Sequence, residues 1–134
     1  MDKSTERGAA AVEFALLAPV LFMLLLGIME FGRAYNVQVT LTNAAREGVR
    51  TMAINNDQAS ARNATKSAAD AISPKLKDSD IAFAFQDVPA TTPAPTSCLA
   101  GRQVSVTISY SLSTMTGIAG PFGMTGKGTM LCGG

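Results

Sequence analysis

FALLAPVLFMLLLGIM, Phe14 to Met29, is a run of sixteen residues without a charge, bracketed by Glu13 and Glu30. Small and apolar residues extend it from Gly8 to Gly32, 25 positions in all. A bilayer core takes about 20 residues of helix, with a working range of roughly 17 to 25. The uncharged run is slightly short by itself. With Ala9 to Val12 added it is long enough, provided Glu13 is tolerated. The reading is a membrane-spanning helix over 9–33 and a small domain outside the lipid over 34–134. A buried helix of a soluble domain is the alternative, but so few remaining residues could hardly cover it on all sides. A cleaved secretory signal needs small residues of the A-x-A kind just after the run. Here Met29-Glu30-Phe31-Gly32-Arg33 follows instead, a poor substrate for that cut. The flanking charges do not orient the span. Lys3, Arg7 and the amino terminus precede it, and Arg33, Arg46 and Arg50 follow it.

Beyond Gly32 the helical pattern continues. Ala34, Val37, Leu41, Ala45, Val49 and Met52 recur at steps of three and four, one stripe of an amphipathic helix. No proline interrupts Tyr35 to Ile54, so one helix can run unbroken from about Ala10 to Ile54. Asn55-Asn56-Asp57 then marks a turn. Asp57 is placed to cap a second helix from Gln58 to about Ile72, ending before Pro74, with Ala61, Ala64 or Thr65, Ala68 and Ile72 on its apolar face.

Strand patterns follow. Ile81, Phe83 and Phe85 alternate with alanines. Pro89 to Ser97 has loop composition, with three prolines. Gln103 to Leu112 alternates cleanly, with Val104, Val106, Ile108, Tyr110 and Leu112 on one face. Gly126 to Cys132 supplies a third strand after a glycine-rich connection. Three strands with one apolar face against a long helix give an α+β fold with an antiparallel sheet. The glycines at 117, 120, 123, 126 and 128 read as flexible turns, since no GKS or GKT follows them to make a phosphate loop.

Composition narrows the chemistry. The chain has 134 residues, a net charge of +1 and no histidine. A nucleic-acid binder acting through a basic surface is excluded. Zinc sites, histidine acid–base catalysis and the usual nucleophilic triads lose their commonest partner. Asp57, Asp70, Asp78, Asp80 and Asp87 form no motif. No catalytic, cofactor or metal residue is assigned. Cys98 and Cys132 each stand at the edge of a predicted strand. They are either a disulfide or two unpaired thiols. Disulfides persist outside the reducing cytosol. A bond would therefore put the domain outside the cytoplasm and the short N-terminus inside, which resolves the orientation.

The densest constellation is Glu6-Arg7-Gly8-Ala9-Ala10-Ala11-Val12-Glu13-Phe14. Glu13 is a lone carboxylate in an apolar helix. It either rests among headgroups or pairs with something specific, because an unpaired charge in lipid costs several kcal/mol (roughly 3 on insertion scales). One candidate is the new amine of Ala9 on a neighbouring chain cut after Gly8.

GAAAVEFALLAPVLFMLLLGIMEFGRAY, Gly8 to Tyr35, resembles the TadE-like minor pilins, or pseudopilins, of the tight adherence pilus system. Such substrates carry a glycine, four residues, then glutamate and an aromatic residue: here Gly8, Ala9 to Val12, Glu13 and Phe14. Pro19, Gly27, Glu30, Phe31, Gly32 and Arg33 also match. NAAREGVR (Asn43 to Arg50), the VSVTISYS strand and the late cysteine are more loosely similar. The resemblance implies a leader at 1–8 and a cut between Gly8 and Ala9 by a prepilin peptidase. It further implies residence in the bacterial inner membrane and partnership with other pilins and the Tad secretion machinery, besides membrane lipid. A membrane-anchored accessory or binding protein of the envelope is the alternative function.

Three smaller features have two readings each. Pro19 frees the carbonyl of Ala15, which either permits local melting or is simply tolerated in a membrane helix. Gly27 and Gly32 either admit another helix or are ordinary. Glu30 and Arg33, three apart, either pair with each other or mark the end of the span. Asn63-Ala64-Thr65 matches a glycosylation acceptor, but on a predicted helix.

Overall fold

The computed structural model describes residues 3–90, 93–117 and 120–133, with side chains from Arg7 onward. Helix α1 spans Lys3–Asn55, 53 residues. At 1.5 Å per residue it is about 80 Å long, more than twice the thickness of a hydrocarbon core. Pro19 lies inside it without ending it. Up to Phe31 the large apolar residues of α1 are exposed, Phe14 and Met23 among them. Farther along, the amphipathic stripe is covered: Val37, Leu41, Ala45, Val49 and Met52 are buried and Ala34 packs against them. Two sequence patterns thus divide one helix into a half whose large apolar residues stay exposed and a half that forms one wall of the core.

Asn56 ends α1 at φ 49°, a left-handed conformation that asparagine tolerates better than most residues. Asp57 caps helix α2, Gln58–Ala68: its carboxylate accepts from the amides of Ala59 at 3.3 Å and Ser60 at 2.9 Å. The hydroxyl and amide of Ser60, then the amide of Ala59, hold the Asp57 carboxyl below the usual range. Helix α2 stops four residues short of the expected Ile72. Its buried positions are Ala61 and Thr65, continued beyond the helix by Ala69 and Ile72, while Ala68 faces out. Two steps of four, from Ala61 to Thr65 to Ala69, set this face before a step of three reaches Ile72. Thr65 explains the choice: it is fully buried, bonds back to Ala61 O at 2.8 Å, and fits against α1 only because position 48 is glycine. A Cβ on Gly48 would collide with the Thr65 hydroxyl. Asn63, Ala64 and Thr65 lie in α2, on a helix as the sequence pattern expected.

A 3-10 turn at Asp78–Asp80 leads into strand β1, Ile81–Asp87, followed by β2, Arg102–Leu112, and β3, Phe122–Leu131. The sheet is antiparallel in the order β1-β2-β3. Register puts Ile81 beside Ile108, Phe83 beside Val106 and Phe85 beside Val104, so all three inward β1 side chains share a face with the β2 stripe. On the other side Gly128 lies opposite Val106 and Gly126 opposite Ile108.

Gly126 and Gly128 lie in β3, as the third-strand pattern placed them and not in turns, and Gly123 joins them because β3 begins four residues earlier than expected. The reason lies in the helix. An added Cβ at Gly126 would stand 2.6 Å from the carbonyl carbon of Leu41; at Gly128 it would stand 2.7 Å from the carbonyl oxygen of Ala45. Strand β3 rests its backbone directly on the backbone of α1, and a glycine pair two residues apart provides the flat surface. Gln38 Nε2 completes the contact by donating to Thr125 O at 2.9 Å, which covers part of the exposed strand edge. Replacing Gly128 by Val is expected to destabilise the domain by at least 1 to 3 kcal/mol, the usual range for overpacking, because backbone cannot yield as a side-chain tip can. A lowered thermal midpoint of the full chain in detergent, with Gly123→Val (no atom within 4 Å of its Cβ) as the control, reads this out.

Arg62 ties α2 to the start of β1. Its guanidinium donates to Ile81 O at 2.6 Å and lies 5.1 Å from the centre of the Phe83 ring. At the far end, Cys98 and Cys132 form a disulfide with Cα atoms 5.3 Å apart. The Cys98 amide donates to Asn56 Oδ1 at 2.8 Å, and the Cys132 amide to Arg102 O at 2.8 Å. Arg102 also bridges Asp87 at 2.8 Å and reaches Ser97 Oγ at 3.1 Å. The proline-rich connection, the end of β3 and the end of α1 are thereby fastened together.

Candidate functional site

The residues singled out for processing and assembly all lie on the first turns of α1. Gly8, Ala9, Glu13 and Phe14 are exposed, and Phe14 is 70% accessible. Among the described residues, nothing beyond the helix's own turns comes within 4 Å of a Cβ placed on Gly8. A glycine inside a helix costs about 1 kcal/mol relative to alanine. The fold itself therefore gives no reason for glycine at position 8. Glu13 lies four residues beyond Ala9, about 6 Å along the axis, on a stretch without any cover from its own chain.

A second set of groups stands at the other end of the apolar run. Glu30 and Arg33 do not pair with each other, contrary to one of the two sequence readings. Both reach across to the connection that follows β2. Glu30 Oε2 accepts from the Met115 amide at 3.0 Å, and Arg33 donates to Ser113 O at 2.9 Å. An acceptor and a donor one turn apart on the helix thus match a donor and an acceptor two residues apart in the loop. The pair fixes where along α1 the domain begins. Sequence reasoning placed both residues at the end of the span but had no means of finding their partners, which are backbone groups 80 and 85 positions away. Among the described residues, a Cβ placed on Gly27 or Gly32 meets nothing within 4 Å beyond the helix's own turns.

The result is a long helix, apolar and uncovered in its first half, carrying a small disulfide-bonded α+β domain on its second. This is the form of a single-pass membrane-anchored protein. Residues 8–50 match the model of the family described as TadE-like protein. The matched span covers the apolar run and most of the buried stripe and leaves α2 and the sheet outside it. It agrees with the resemblance carried by Gly8 to Tyr35 and points to a protein associated with the tight adherence pilus. No curated protein and no solved structure matches the chain.

Proposed function

We propose that the chain is a minor-pilin-like subunit acting in assembly of a tight adherence pilus. It enters the inner membrane with residues 1–8 as a cytoplasmic leader and 9–33 across the bilayer. Residues 34–134 form the extracytoplasmic domain. A prepilin peptidase cuts between Gly8 and Ala9. The remaining partners are other pilins, the Tad secretion components and membrane lipid, and no catalysis is assigned to the chain. The observation carrying the reading is the family match starting at Gly8, over a helix whose glycine and glutamate answer no need within the fold. The disulfide supports the orientation, since such bonds persist outside the cytosol.

In this reading Glu13 answers the amine released at Ala9 of a neighbour. A chain displaced by one helical turn, about 6 Å, brings its Ala9 level with the Glu13 of the next. In lipid such a pair relieves a charge that otherwise costs roughly 3 kcal/mol or more. Glu13→Ala is therefore expected to insert and be cut normally while pilus output falls at least tenfold, a loss of about 1.4 kcal/mol or more per contact. Pilus yield and the mature N-terminus are measured in the same strains. Normal output from the cut variant would remove this role from Glu13, and would favour an anchored accessory protein if deleting the chain also left pili unchanged.

A further inference from the structure

A cavity of about 190 Å³ opens between α1 and the segment that follows α2. Arg33, Asn36, Thr40 and Ser73 form its polar wall, and the buried pair Val37 and Ile72 its apolar one. No carboxylate lines it. Arg33 is half-buried and uses one guanidinium nitrogen on Ser113 O at 2.9 Å. Arginine has five N–H donors, so most of its capacity is left. Among the described residues no carboxylate pairs with it: the ion pairs there are Lys66–Asp78, Lys75–Asp70 and Arg102–Asp87. Glu30, one turn earlier, accepts from the Met115 amide instead. Lys75 and Lys77 stand just past Ser73, and the carboxylates beside them are engaged, Asp70 by Lys75 and Asp80 by the Lys77 amide at 2.8 Å. A phosphate is the best-matched partner for such a guanidinium, because two of its oxygens can take the fork of N–H groups.

The groups around Arg33 are ordered along the helix. Ahead of it on the same side, four and eleven residues back, Met29 and Phe22 are exposed. Beyond it, over about 10 Å of α1, come Asn36 and Thr40, with Ser73 facing them across the cavity. The Asn36 side-chain amide and the Ser73 hydroxyl meet no partner among the described residues. Thr40 Oγ1 donates to Asn36 O at 2.9 Å and keeps its lone pairs to accept. A bilayer centred on the charge-free residues 14–29 puts Met29 and Phe22 among acyl chains, Arg33 at the phosphates and the rest of the cavity just above. Apolar side chains, then a guanidinium, then amide and hydroxyl groups follow the order of a glycerophospholipid: acyl chain, phosphate, polar headgroup. A headgroup ammonium would find no carboxylate in the cavity and two lysines near it. Headgroup hydroxyls would find Asn36, Ser73 and Thr40.

We propose that this cavity binds an anionic phospholipid whose headgroup carries hydroxyls and no amine, with its phosphate on Arg33, its hydroxyls among Asn36, Ser73 and Thr40, and an acyl chain along Met29 and Phe22. The bound lipid ties the segment after α2 to the leaflet on the domain's side. The inference rests on the membrane-anchor reading and not on processing at Gly8, so an uncut chain leaves it standing.

The test is native mass spectrometry of the full chain, extracted from membranes and offered phosphatidylglycerol, phosphatidylethanolamine or phosphatidylcholine with identical acyl chains. Phosphatidylglycerol is expected to be retained about tenfold over both others, the worth of one charge-assisted hydrogen bond. Arg33→Gln is expected to bring it to within about twofold of phosphatidylcholine. Asn36→Leu leaves the guanidinium in place, removes a donor and narrows the cavity; it is expected to lower phosphatidylglycerol retention about threefold or more while the thermal midpoint holds. Arg50→Gln, at an exposed arginine about 25 Å farther along α1, is expected to change nothing. Equal retention of the three lipids by the native chain would overturn the proposal. So would a preference that survives in Arg33→Gln, full retention in Asn36→Leu, or a loss in Arg50→Gln equal to that in Arg33→Gln, which is what charge attraction without a site predicts. Displacement of phosphatidylglycerol by inorganic phosphate would make this a site for a free anion and overturn the lipid assignment. Carbonate extraction of the same membranes separates the two readings: a chain that washes out fails the anchor and the proposal together, and a retained chain without lipid preference fails the proposal alone.

Discussion

Gly8→Leu is expected to leave the chain at full length in the membrane, with the domain folded and its disulfide formed. The cut bond must lie at the cytoplasmic surface, where a membrane peptidase can take unwound backbone while the helix stays in lipid. Gly8 has no side chain to crowd that site, and a glycine also lowers the cost of unwinding the first turns of α1, by about 1 kcal/mol relative to alanine. Leucine reverses both effects. Among the described residues nothing beyond the helix's own turns comes near a Cβ at position 8, so the substitution has no route to the core, which begins at Val37. Loss of processing with an unchanged thermal midpoint is the expected pattern, read by intact mass and by melting of the same sample. Normal cutting of Gly8→Leu would remove the role assigned to that glycine.

Leu41→Asp is expected to abolish the folded domain while leaving membrane insertion intact. Leu41 is completely buried, and its backbone lies under Gly126 of β3, where no water reaches. A carboxylate there loses the leucine contacts and gains an unpaired charge, a combined loss on the order of 4 to 5 kcal/mol or more. Small domains hold only about 5 to 15 kcal/mol in total. The sheet and α2 should become sensitive to protease, and the disulfide should form incompletely. Residues 9–33 make no contribution to this core and should still resist carbonate extraction. A protease-resistant Leu41→Asp domain would contradict the packing of α1 against the sheet.

The legible parts of the fold were those written in repetition. The stripe Val37, Leu41, Ala45, Val49 and Met52 and the alternation Val104 to Leu112 each carry a period, and both form the core. The Asp57 cap followed from a polar residue before an alanine-rich segment. The glycines of β3 could not be read the same way. A strand lying on helix backbone weakens its own side-chain pattern: the stretch from Gly126 was legible as a strand, but its start at Phe122 and the reason for Gly126 and Gly128 were not until the helix beneath them is known. The same holds for α2, where Thr65 is buried by a fit to Gly48 that no hydrophobicity pattern records. The partners of Glu30 and Arg33 were hidden for a further reason: they are main-chain groups, which every sequence supplies. The apolar run was plain, because lipid demands a length of uncharged helix that a soluble fold has no use for; the Gly8-to-Phe14 pattern stands out beside it, and its processing is what is proposed.

Cutting after Gly8 is the central claim. The most direct measurement is the intact mass of the native chain recovered from membranes of cells with and without their prepilin peptidase. With the peptidase present, the chain is predicted to begin at Ala9 and lack Met1 to Gly8; without it, the chain should keep those residues. A chain that carries Met1 to Gly8 in both, or loses them in both, would contradict it.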